Sequence, residues 1–144
     1  MALPDTLKNT TTTTRLTETL SSIASSGGKA VTTNTVDNDS NCDLFANIWV
    51  NYTFAATPSS NLYLEVYLLY YDGSGYEDGG SSVDPKSPVA GVVPVYADSG
   101  VSHKYLLRGI PIEPYKFKVL VKNPANANVN VSIRVDTYNQ QVVD

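Results

Sequence analysis

The chain has little of what most catalytic and metal chemistry needs. Among its 144 residues there is one cysteine, Cys42, and one histidine, His103. A lone cysteine cannot close an internal bridge, so stability is not expected to depend on an oxidising compartment. Neither residue sits in metal-ligand spacing or beside a Gly-x-Ser-x-Gly elbow, which leaves a zinc site or a catalytic triad without its parts. His103 lies between Ser102 and Lys104 and reads as a surface or interface side chain rather than a general base. Glu65 and Glu113 stand alone near apolar segments, and two isolated glutamates do not make a glycosidase. No cofactor, no metal and no enzymatic activity are expected.

Excess positive charge is also lacking. Ten basic residues face 14 acidic ones, for a formal charge of -4, and no basic cluster offers itself to a phosphate backbone, so nucleic acid is not an expected partner. No apolar run approaches the roughly 18 residues of a membrane span, and the opening Met1 to Lys8 lacks the apolar stretch of a signal peptide. Neither a membrane nor the usual secretory route is expected, and the sequons at Asn9, Asn38, Asn51 and Asn130 read as ordinary polar residues.

What is present is period-two alternation. Leu44, Ala46, Ile48, Val50, Tyr52 and Phe54 alternate with polar residues, and Leu62, Leu64, Val66, Leu68 and Tyr70 repeat the pattern, as strands with one buried face require. The turn-forming stretch Ala55 to Asn61 between them predicts an antiparallel hairpin. Lys29 to Val36 is rich in β-branched residues and reads as a first strand. Residues 89–97, interrupted by Gly91 and Pro94, suit a bulged or edge strand. Val101 to Ile110 forms another. Tyr115, Phe117, Val119 and Val121 alternate with lysines that discourage edge pairing, and Val129 to Val135 gives the last clear strand.

About seven strands joined by turns imply an all-β fold, an antiparallel two-sheet β-sandwich of jelly-roll or immunoglobulin-like topology. Residues 1–28 differ: Thr10, Thr11, Thr12, Thr13 and Thr14 run unbroken and serines and Gly27-Gly28 follow, so this segment reads as an extended N-terminal arm, with Leu16, Leu20 and Ile23 at spacing that fits a short helix or a strand. The expected organisation is an arm over 1–28, a sandwich domain over 29–138 and a tail over 139–144.

Two loops carry oxygen ligands. Asp37 to Asp43 opens like an EF-hand calcium loop, but Cys42 replaces the required glycine and Ile48 the required glutamate, so a polar turn is expected. Residues 72–88 form an unusually long connection, of the kind that often carries function; its Asp72, Glu77, Asp78 and Asp84 read as a solvated acidic loop. Aromatic residues supply the other candidate surface. Tyr63, Tyr67 and Tyr71 share one strand face, and Phe45 and Trp49 project from the equivalent face of the partner strand, a set that serves core packing, subunit contact or carbohydrate stacking.

A Thr/Ser-rich arm from Thr10 to Ser26, followed by an Asn/Thr/Val-rich sandwich with a Tyr70-Tyr71-Asp72-Gly73 loop, resembles the small accessory proteins of tailed-bacteriophage virions. Capsid cement or decoration proteins come closest, with tail or baseplate adaptors as neighbours. The resemblance implies a non-enzymatic virion protein assembled in the host cytoplasm, often as a homo-oligomeric trimer. Its partner is then the major capsid protein or another virion protein, with the arm gripping the former. Interface residues expected on this reading are Thr10 to Thr14, Arg15, Leu16, Leu20, Trp49, Tyr63, Tyr67 and Tyr71. The alternative is a carbohydrate- or receptor-binding module of a phage tail or baseplate.

Overall fold

The alternation of the two central runs is satisfied by burying them against each other. Ala46, Ile48, Val50, Tyr52 and Phe54 point into the core, as do Leu64, Val66 and Leu68. A computed structural model describes residues 12–139; Thr10, Thr11 and all but the first residue of the expected C-terminal tail lie outside them. The elements are β1 (Thr13–Ile23), β2 (Gly28–Val31), a helical turn α1 (Asn38–Asn41), β3 (Phe45–Phe54), β4 (Tyr63–Tyr70), β5 (Gly91–Pro94), β6 (His103–Pro111), β7 (Phe117–Asn123) and β8 (Val129–Tyr138).

Among the described residues, eight strands make two four-stranded antiparallel sheets, ordered β1-β8-β3-β6 in sheet A and β2-β7-β4-β5 in sheet B. With most connections crossing from one sheet to the other, this is the eight-stranded jelly-roll order rather than an immunoglobulin-like one. The two-sheet sandwich expected from the alternation is therefore present, with one strand more than the sequence suggests.

The expected hairpin is not. β3 pairs with β6 and β8, while β4 pairs with β5 and β7, so the two strands lie in opposite sheets. A shared sheet would place both apolar faces on one side, still needing cover; facing each other they supply that cover. The intervening segment acts as a crossover, with Pro58 buried and the Asn126 side chain accepting from the Ser59 and Ser60 backbone N–H groups at 2.8 and 3.2 Å. At its outer ends Leu44 and Leu62 are exposed rather than core.

The second correction concerns the arm. Thr13–Ile23 is an edge strand of sheet A, paired along its length with β8. Leu16, Leu20 and Ile23 are 4%, 6% and 2% exposed and belong to the core. The sandwich thus begins at Thr13, not at residue 29, because three apolar residues suffice to dock a strand whose β-branched neighbours favour extended chain. Gly27-Gly28 is a tight crossover: a Cβ on Gly28 would stand 2.2 Å from the Ala24 carbonyl oxygen. Asn123 fixes this turn, its Nδ2 donating to the Ile23, Ala24 and Ala127 carbonyls.

Smaller differences follow from the same packing. β2 ends at Val31, and Val36 makes only an isolated bridge to Phe117. β7, whose lysines discourage edge pairing, is central in sheet B, since its Val119, Leu120 and Val121 need cover on both faces. Tyr115 precedes the strand and is half exposed. β5 does occupy an edge, as Gly91 and Pro94 predict.

Candidate interaction surfaces

The two outer faces of the sandwich carry the candidate residues, and they differ. On sheet B, register puts Tyr67, Leu120 and Val31 in one row and Glu65, Lys122 and Lys29 in the next. The long loop after β4 folds back over these rows. A Cβ on Gly79 would lie 3.1 Å from Leu69 Cδ2 and 3.2 Å from Leu120 Cδ1, which explains how two outward leucines come to be buried.

Asp84 clamps the loop, with Oδ1 at 3.0 Å from Lys29 Nζ and 3.2 Å from Lys122 Nζ. Bonds from Lys29 and then Lys122 hold its carboxyl below the usual carboxylate range. Tyr76 adds a second anchor: its ring packs on Tyr71, its hydroxyl meets Thr35 Oγ1 at 2.8 Å, and Lys118 Nζ lies 4.7 Å from its ring centre. Asp72 is spent on its own turn, accepting from the Gly75 and Ser74 N–H groups and the Ser74 hydroxyl, and these bonds lower its pKa. Glu77 accepts from the Tyr70 N–H and from Ser87. Three of the four carboxylates of the expected acidic loop are thus fastening devices.

The tyrosines therefore divide. Tyr63 and Tyr67 lie half-buried on sheet B's outer face, Tyr67 donating to Glu65 Oε2 at 2.7 Å. Burial first, and then this bond, push the Tyr67 phenol up to about 12. Tyr71 follows β4 and makes an isolated bridge to Tyr76. Phe45 and Trp49 are not beside them but on the far side of the molecule, a direct consequence of β3 and β4 lying in different sheets.

Sheet A's outer face mixes polar side chains with a few large apolar ones. One row across it reads Thr17, Arg134, Trp49 and Leu106, and the next Thr19, Ser132, Asn51 and Lys104. Between the rows is a shallow hollow of about 250 Å³. Arg134 lies over the Trp49 ring at 5.4 Å and is steadied by Asp136 at 3.1 Å. Phe45 stacks on Tyr138 nearby. Sequence alone does not single out Arg134 or Lys104, because only the strand register places them beside Trp49.

At the rim of this face runs β1, with one edge of its backbone unpaired in the sheet. Of the expected interface residues here, Leu16 and Leu20 are core. Thr14 donates to Asp136 Oδ1, and Arg15 is bonded to Thr137 and lies 3.6 Å from Asp43. Thr12 and Thr13 are exposed. Glu18 points inward between the sheets, where its carboxylate accepts from the backbone N–H groups of Thr33 and Asn34 and from the Asn34 side chain. His103 forms a pair with Asp98 at 2.8 Å and packs between Tyr52 and Tyr96. Cys42 is exposed at the end of α1, and Asn38, the second residue of the calcium-like loop, is buried and bonded to Asp43 and Glu113 backbone groups.

No protein-family model and no curated protein matches the chain. Solved structures that it resembles include a Yersinia pseudotuberculosis-derived mitogen, at 13% identity over 99% of this chain and 92% of that one, with a TM-score of 0.30. Desmodium yellow mottle tymovirus is similar at 10% identity over 100% of this chain and 97% of that chain, with a TM-score of 0.26. Likenesses this distant carry no argument about what the chain binds.

Proposed function

We propose that the protein is a non-enzymatic structural component of a bacteriophage virion, a cement or decoration protein that binds an assembled shell. The observation that supports this reading is the placement of β1. The threonine run leads directly into an 11-residue strand at the edge of sheet A, whose unpaired backbone groups are a template for an added strand. Residues 1–12 and this edge together are the proposed shell contact. The side chains along it are mostly Thr and Ser, which suits a reversible polar contact made many times over on a lattice.

Two deletions test the assignment. Removing residues 1–12 leaves β1 intact, so the domain should fold and melt cooperatively yet lose occupancy on shells. Removing residues 1–24 strips Leu16, Leu20 and Ile23 from the core. Each loss of this kind costs on the order of 2–5 kcal/mol, so that chain should not fold. Undiminished shell occupancy by the shorter deletion would refute the contact proposed here.

A further inference from the structure

We propose that the hollow on sheet A's outer face is a binding site for an acidic saccharide, a chain bearing hexuronate carboxylates, with Trp49 as its platform and Lys104 and Arg134 as its charge-recognising groups. This is independent of shell binding, which is assigned to the N-terminal segment and the β1 edge. Trp49 is half-buried on an outer face where Leu106 and Arg134 flank it in its own row and Thr17, Asn51 and Ser132 supply small polar groups around the hollow. A large aromatic held among hydroxyls and amides suits a ligand with one apolar face and a polar rim. A pyranose ring is such a ligand: its axial C–H bonds make one face apolar, while its hydroxyls need donors and acceptors side by side, which Ser, Thr and Asn supply.

Charge narrows the class. The chain carries a formal -4, yet the charged residues lining this hollow are Lys104 and Arg134. Among the described residues Lys104 forms no ion pair. Arg134 gives one nitrogen to Asp136 and lies over the Trp49 ring, 5.4 Å from its centre, so the sugar is assigned to the opposite ring face, with the rest of the guanidinium fork left for a second carboxylate. The hollow is below the roughly 300–1,000 Å³ of sites that enclose a drug-sized ligand, so it accepts one ring of a chain that continues across the sheet. Two cations on an acidic protein are too few to hold a polyphosphate at physiological salt, which favours the uronate over a nucleic acid.

The chain has a single tryptophan, so intrinsic tryptophan emission reports on this site alone. Titrating the full chain with trigalacturonate should change that emission saturably, whereas a neutral trisaccharide such as cellotriose should bind at least about tenfold more weakly, the difference expected for one lost charge-assisted contact. Lys104→Gln, which breaks no ion pair among the described residues, should weaken trigalacturonate by a similar factor and leave the melting temperature and the cellotriose response unchanged. Calorimetry on Trp49→Phe should show affinity reduced for both sugars. Equal affinity for the two sugars, an unaltered response in Lys104→Gln, no response to either sugar, or preferential binding of an oligothymidylate would each overturn the assignment. Shell occupancy is unaffected in all of these outcomes, which keeps this test separate from that of the proposed function.

Discussion

Tyr67 shows how a single residue's surroundings become measurable. Its phenol is pushed up to about 12 by burial and by the bond to Glu65. An unfolded tyrosine ionises near 10, so the neutral side chain favours the folded state fully below that value, and the advantage is lost as pH rises through about 12. The difference in phenolate absorbance between the native protein and Tyr67→Phe should therefore titrate about two pH units above a free tyrosine; a midpoint near 10 would mean that the phenol is solvated and the loop does not cover it. At this scale the sequence is partly legible. Alternation alone marks Tyr63, Tyr67 and Trp49 as outward, and they are. It cannot tell that Trp49 has Arg134 over it, because that contact depends on which strands are neighbours, and Arg134 is 85 positions away in the chain.

At the scale of elements, the long loop after β4 is an integral layer over sheet B. Asp84 joins it to β2 and β7 through Lys29 and Lys122. A carboxyl held below its usual range contributes this clamp above the ordinary carboxylate pKa and releases it as pH falls through the lowered value. Asp84→Asn should make the loop cleavable by a protease at neutral pH, while the native loop resists until acid is added. Equal cleavage rates at neutral pH would show that the ion pairs do not hold it. The loop's length and its turn residues are plain in the sequence, but its destination is not, since nothing local distinguishes an aspartate facing water from one facing two lysines on another strand. β1 was hidden for a related reason. Its threonines look like a solvated arm until Leu16, Leu20 and Ile23 are seen to meet β8, a partner more than a hundred positions away.

On the scale of the whole molecule, alternation fixes the number of layers but not the order of strands. Each amphipathic strand needs an apolar face to cover it, and many pairings satisfy that need locally. The choice of β1-β8-β3-β6 over a β3–β4 hairpin is made by contacts between distant segments, which period and propensity do not encode. The same order leaves β1 and β6 as the two edges of sheet A and places the threonine run at the start of β1. If that edge is the shell contact, binding sums many weak contacts on a symmetric lattice, and a partner that binds only the assembled state stabilises it by mass action.

The central claim is tested most directly by measuring the affinity of the purified protein for stripped, assembled shells and for the isolated capsid subunit side by side, with shell melting followed at each occupancy. A shell-binding cement protein should saturate at a fixed number of lattice sites, bind the free subunit weakly, and raise the shell melting temperature with occupancy. Equal affinity for subunit and shell, or full occupancy with no change in shell melting, would contradict it.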